Sequence, residues 1–359
     1  MDKATTEAVL YYKEQAEKFW LNFNIYGEGM LALASHRFGM KELASDIVKS
    51  LKDRSIQHEE FGMYWKEHQV GYYWYQAPIE TQALMIEMFD EVADDQVSVE
   101  ELKIWLLKQK QTSHWKTTKQ TSEAVYALLL KGSNLLASDE LVEITIGDQN
   151  IQYTDQPNQK DPFQVKPEPG TGYFKTAWEA DQVKSKLGKI KVSKKDDGIA
   201  WGAAYWQYFE DLDKITFAET NLKLQKALFK VDLTREGEQL KAVSNENQLK
   251  VGEKVRVRIE LRTDRNLEYV HMKDMRAAGF EPINVLSRYH YQDGLGYYQA
   301  TKDAATHFFF DYIPKGTYVF EYDLRVQHEG EFSNGIASIQ CMYAPEFTSH
   351  SDGIKVIVQ

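Results

Sequence analysis

Histidine, cysteine and clustered aromatic side chains are the groups in this sequence best suited to chemistry, and their spacing argues against most of it. The nine histidines, at positions 36, 58, 68, 114, 271, 290, 307, 328 and 350, never stand four apart beside a carboxylate as in His-Glu-x-x-His, and Cys341, the one cysteine, cannot build a thiolate zinc site. Residues Gly170-Thr171-Gly172-Tyr173-Phe174-Lys175-Thr176 lack the four-residue spacer and adjacent Gly-Lys of a phosphate loop, and no Gly-x-Ser-x-Gly elbow presents a serine. The acidic run Asp90, Glu91, Asp94, Asp95, Glu100, Glu101 spans a helix end, a loop and the next first turn, where the helix dipole accounts for Glu100 and Glu101 without a cation. Neither a metal nor a cofactor is expected.

One aromatic cluster supports a sharper enzymatic reading. His68 lies near Trp65, Tyr72, Tyr73, Trp74 and Tyr75, and a histidine with a tyrosine could remove a proton from a sugar, as polysaccharide lyases do. The alternative is that these rings pack the inner layer of a helical array. A second group, Trp201, Tyr205, Trp206 and Tyr208, has the composition of a strand in a sheet core or at a domain junction.

The elements that would position these groups divide the chain. From Asp2 to about Leu136 the apolar period is helical, with Val9, Tyr12, Ala16 and Phe19 on one face and Leu43, Ile47 and Leu51 on another, and six helices are expected. Pro78 suits a first turn, and Ser98 with Glu101 and Thr117 with Gln120 have capping-box spacing. An offset of 41 superposes Trp74 on Trp115, Thr81 on Ser122, Gln82 on Glu123, Ala83 on Ala124 and Leu84 on Val125. A period near 40 suits stacked helical hairpins, so a partial α/α toroid or solenoid is expected over 1–136.

Beyond it the pattern turns to β. Short strands are expected at Leu141–Ile146 and near Tyr173–Trp178, Gly188–Ser193 and Ile199–Tyr208, with Asp155–Gly172 a surface loop. Val255, Val257, Ile259 and Leu261 alternate with Arg256, Arg258, Glu260 and Arg262, the mark of a half-buried antiparallel strand; Tyr318 to Val326 and Ile354 to Val358 follow. The expected fold is multi-domain α + β: the toroid, a β segment over 137–217, and an antiparallel β-sandwich over 218–359.

Composition bounds the rest. Lys and Arg number 43 against 54 Asp and Glu, a formal charge of -11, so nucleic acid and anionic membranes would on balance be repelled. No stretch approaches the ~18 apolar residues of a membrane span, and residues 1–7 lack the basic and apolar regions of a signal peptide. The chain is accordingly either cytosolic or cut from a longer exported protein.

The last third carries a family resemblance. Lys273-Asp274-Met275-Arg276-Ala277-Ala278-Gly279-Phe280-Glu281-Pro282 and Cys341-Met342-Tyr343-Ala344-Pro345-Glu346-Phe347 resemble two signatures of the last macroglobulin domain in bacterial alpha-2-macroglobulins, with Tyr318–Gly330 and Glu331-Phe332 similar to the segment between them. Upstream, the stretch from Trp115 to Leu128 resembles the final helices of the family's thioester domain, itself an α/α toroid. The resemblance implies that 137–217 is the returning half of a CUB-like domain. It also implies a non-catalytic part of a periplasmic or envelope protease-trapping inhibitor, whose partners are target proteases and upstream modules of its own chain.

The family's reactive thioester joins the Cys and Gln of Cys-x-Glu-Gln, whereas Cys341 precedes Met342, Tyr343 and Ala344. Cys341 is therefore expected to be a small buried strand residue. Docking between modules is expected at Trp201, Tyr205, Trp206, Tyr208, Arg276 and Phe280. The alternative readings are a lyase-like toroid enzyme using His68 with Tyr72 or Tyr73, and a surface module binding glycan or protein.

Overall fold

The structure, a computed structural model, describes residues 3–68, 70–131, 140–196, 200, 202–218, 220–244 and 247–359. The chain divides into two compact units, one of residues 1–106 with 115–202 and one of residues 107–114 with 203–359. The fold is mixed α + β.

Six α-helices lie among the described residues: α1 (Lys3–Phe19), α2 (Ile25–Arg37), α3 (Lys41–Asp53), α4 (Pro78–Ala93), α5 (Gln96–Thr112) and α6 (Thr118–Leu130). The α3 stripe of Leu43, Ile47 and Leu51 is buried, as its spacing demands. In α1, by contrast, Tyr12 and Phe19 remain exposed, because no described element covers that face. Pro78 opens α4, which ends on Asp94 in the left-handed region. Thr117 caps α6 by accepting from the Gln120 N–H, and the Gln120 side chain returns to the Lys116 N–H. The Ser98–Glu101 box is not used: Asp95 accepts from both the backbone N–H and the hydroxyl of Ser98, so α5 begins earlier.

The superposable segments fall on α4 and α6, which pack together, and Ala83 and Ala124 are both buried. Gln82 is fully buried and donates to the carbonyls of Met63 and Leu102, binding α4 to the hairpin of β1 (Ile56–His58) and β2 (Gly62–Tyr64) and to α5. The rest of the first unit is sparse β structure. Strands β3 (Glu143–Ile146), β4 (Gln149–Asn150) and β7 (Ile190–Ser193) form one small sheet, while β5 (Gln152–Tyr153) and β6 (Gln164–Val165) pair in parallel.

Among the described residues, two expected strands are absent. Residues 173–178 form no ladder, and the Tyr173 carbonyl instead accepts from the Glu168 N–H, closing a loop. Residues 203–210 are all exposed and none joins a ladder, while Ile199 and Trp201 lie outside the described residues. Aromatic composition favours strands only through packing against cross-strand neighbours, and these residues have none here.

The second unit is dominated by a β-sandwich. One sheet holds β8 (Leu222–Thr234), β9 (Gly237–Ala242), β10 (Lys254–Thr263), β12 (Phe280–Pro282) and β16 (Gly316–Val326), in the order β12-β16-β10-β8-β9. The other holds β11 (Leu267–Met275), β13 (Arg288–Gln292), β14 (Leu295–Thr301), β15 (Ala305–Ile313), β18 (Ala337–Cys341) and β19 (Thr348–His350), in the order β13-β14-β15-β11-β18-β19. Strands β17 (Gly330–Gly335) and β20 (Ile354–Val358) form a third pair. All of these pairings are antiparallel.

The alternation along β10 has the predicted result. Val255, Val257, Ile259 and Leu261 enter a core shared with Val270 and Met272 of β11, Phe308 and Phe310 of β15, and Phe320 and Leu324 of β16. On the outer face Arg256 lies directly across from Asp323 and grips it with two hydrogen bonds of 2.7 and 2.9 Å, and Arg258 faces Glu321 at 2.6 Å. These cross-strand pairs reinforce the register that the buried face specifies.

Candidate functional site

The segment Lys273 to Phe280 runs from the end of β11 into β12, and the chemistry it holds is internal to the sandwich. Asp274 follows Val270 and Met272 on the core-facing phase of β11, and Lys226 lies between Leu224 and Leu228 on that of β8. The two side chains meet between the sheets, Nζ to Oδ1 at 2.6 Å, both with zero exposure. Lys226 also donates to the carbonyls of Met275 at 2.6 Å and Asn334 at 3.3 Å, and the Tyr322 hydroxyl donates to Asp274 Oδ2 at 2.5 Å.

Burial pushes the Asp274 carboxyl up from its ordinary value, against the downward pull of Lys226, Tyr322 and Arg276. Burial beside the Asp274 carboxylate drives the Tyr322 phenol well above its ordinary range. Such a centre pins the register of two sheets, because a buried charge requires its partner in place. It holds no open position for a substrate atom.

Arg276 and Phe280, expected on a docking surface, are instead interior. Arg276 is 7% exposed, and its guanidinium donates to the Asp303 carbonyl at 3.1 Å and to Thr306 Oγ1 at 3.2 Å. Phe280 is 2% exposed and belongs to the shared core. The Arg-Ala-Ala-Gly-Phe run turns inward because Arg276 satisfies carbonyls at the β14–β15 connection. At Gly279 an added Cβ would lie 2.7 Å from the Phe332 ring.

The aromatic groups of the other candidate sites divide differently. Trp65 is buried, its indole N–H donating to the Leu51 carbonyl at 2.8 Å. The His68 ring lies between Trp65 and Trp105, at centroid distances of 5.6 and 4.9 Å. Both of its ring nitrogens are buried without a hydrogen-bond partner, and burial lowers its pKa to about 3. Tyr72, Tyr73 and Trp74 are exposed rather than packed in an inner layer. The structure thus brings His68 to its tryptophans and joins no tyrosine hydroxyl to its ring.

Tyr205, Trp206 and Tyr208 are 60%, 55% and 73% exposed, so they form no sheet core within this chain. Cys341 is buried on β18 with its thiol directed at the Glu268 carbonyl 3.3 Å away, and burial raises its pKa. Among the described residues no three His, Cys, Asp or Glu side chains converge as a metal site, and no helix is long and apolar enough to cross a membrane. Lys226, Tyr322 and Asn334 carry no mark of function in the sequence. The one available signal was a lysine occupying an apolar phase of β8.

The two sheets of the sandwich are tied together by the ion pair buried between them. Residues 222–346 match the family described as Bacterial Alpha-2-macroglobulin MG10 domain. This part of the chain is thus similar to a macroglobulin domain of bacterial alpha-2-macroglobulins.

Matching solved structures include Escherichia coli alpha-2-macroglobulin activated by porcine elastase, 14% identical over 96% of this chain and 29% of that one, with a TM-score of 0.37. Salmonella alpha-2-macroglobulin reacted with methylamine is 16% identical over 96% and 21%, with a TM-score of 0.32. Native Escherichia coli alpha-2-macroglobulin from domain MG7 to the C-terminus is 12% identical over 96% and 51%, with a TM-score of 0.33. The chain therefore spans between about a fifth and a half of these relatives. No curated protein matches it significantly by sequence.

Proposed function

We propose that this chain is a non-catalytic region of an alpha-2-macroglobulin-like inhibitor that traps proteases at the cell envelope. In this reading 1–136 is the closing part of a thioester-type toroid, 137–217 a CUB-like half and 218–359 the terminal macroglobulin domain. A protease cuts a bait region elsewhere in the parent protein, and the modules then repack around it. The observation that carries the reading is the macroglobulin match over 222–346, whose signature residues are engaged in the sandwich's own ion pair and core rather than at a reacting atom.

Such a protein needs packed interfaces with two arrangements, not a nucleophile. The exposed Tyr205, Trp206 and Tyr208 suit the docking of an upstream module, with neighbouring Trp201 assigned to the same role. The test is small-angle scattering of the parent protein before and after protease addition, with and without the terminal sandwich. Deletion should abolish the protease-induced change of shape, and a change that survives the deletion overturns the reading.

A further inference from the structure

Two neighbouring hollows lie in the first unit, on the chain between β5 and β7. One, of about 290 Å³, is walled by Phe163 and Trp178, and the other, of about 630 Å³, by Phe174 and polar side chains. Both are lined by Lys160, Asp161, Pro162 and Gln182, which makes them parts of one cleft. Charge does not select its ligand. In the larger hollow Lys160, Lys166 and Lys175 are matched by Asp161, Glu179 and Asp181. In the smaller one Lys186 is paired to Asp148 at 3.3 Å. A lining whose charges nearly cancel focuses no field on an ion of either sign, and it suits a neutral polar molecule.

Three side-chain amides supply the chemistry for such a molecule. Gln164 Oε1 accepts from the Asn158 N–H at 3.0 Å, Asn158 Oδ1 from the Lys160 N–H at 3.1 Å, and Gln182 Oε1 from the Glu179 N–H at 2.9 Å. Each bond engages the amide oxygen, so the amide plane is set and its NH2 group is left as a donor with no partner among the described residues. All three amides line the larger hollow. The loop that holds them is itself tied down, because the Thr176 hydroxyl donates to the Pro162 carbonyl at 2.6 Å. Asp161 takes the Phe163 N–H on Oδ1 at 3.0 Å and keeps its second oxygen to accept. The rings of Phe163 and Trp178 meet edge to face at 5.4 Å, and the Trp178 indole nitrogen is buried with no protein partner. Preset amide donors and a carboxylate acceptor match the vicinal hydroxyls of a sugar, and an aromatic wall matches its apolar C–H face.

We propose that this cleft binds a neutral oligosaccharide, one ring against the corner of Phe163 and Trp178 and the hydroxyls of the next on Gln164, Gln182 and Asp161. The site is non-catalytic, and it stands independently of the protease-trapping reading. Calorimetry of the 359-residue chain with maltohexaose, cellohexaose and N-acetylchitohexaose at low and high salt tests it, with an alginate hexamer as the anionic comparison. At least one neutral hexamer should bind, with an affinity that salt leaves unchanged, and alginate should bind more weakly. Gln164→Glu with Gln182→Glu retains both internal acceptor oxygens while removing the NH2 donors, and should lower the affinity about tenfold or more with circular dichroism unchanged. Trp178→Leu should weaken binding as well. Failure of all three neutral hexamers to bind, an affinity that falls as salt rises, equal binding of alginate, or indifference to the amide variant overturns the proposal.

Discussion

The Lys226 ammonium on one sheet and the Asp274 carboxylate on the other lie 2.6 Å apart, and water reaches neither side chain. Coulomb attraction is strong at that distance, yet removing both ions from water costs several kcal/mol each, so the pair adds little net stability while punishing any arrangement that separates it. Lys226→Met should destabilise the sandwich by about 3–5 kcal/mol by stranding Asp274, whereas Lys226→Met with Asp274→Leu should recover most of the loss. Urea unfolding of the two variants measures the difference, and equal losses would contradict a paired role.

His68 should make the first unit acid-sensitive. Its folded pKa of about 3 is below the ordinary 6.5, so the unfolded chain binds the extra proton as pH falls. Stability from this group is present above about pH 6.5 and declines by up to about 1.4 kcal/mol per pH unit down to about pH 3. His68→Phe should flatten that slope in thermal melts followed by helical circular dichroism.

Asp323 predicts a separate acid dependence in the sandwich. Burial pushes its carboxyl up, but Arg256 and Lys254 together hold it below the ordinary 3.8. The stabilisation is present above about pH 4 and is lost as pH falls through the lowered pKa. Asp323→Asn should remove that part of the pH dependence of unfolding and lower stability at neutral pH.

Cys341 should be inert in the native protein. Its thiol is buried and its pKa raised, so the reactive thiolate is scarce as well as inaccessible. Alkylation followed by intact mass should show labelling of the single cysteine only after denaturant is added.

Trp206 separates docking from folding. At 55% exposure outside any ladder, Trp206→Ala should change the stability of this chain by no more than about 0.5 kcal/mol. The same substitution in the parent protein should weaken protease-induced rearrangement, measured by scattering.

What was legible in the sequence was local. The two-residue alternation of β10, the stripe of α3, the Thr117–Gln120 cap and the interior place of Cys341 depend on neighbours a few positions away, and backbone periodicity fixes which of those share a face. Tertiary structure decided the rest. Arg276 has the look of a surface arginine until carbonyls nearly thirty residues later are folded around it. Tyr205, Trp206 and Tyr208 have strand composition but acquire no strand, because a ladder needs a partner that composition cannot supply. Lys226 and Asp274, 48 positions apart, became a pair only when two sheets closed on each other, since Coulomb attraction depends on distance in space and sequence spacing carries no measure of it.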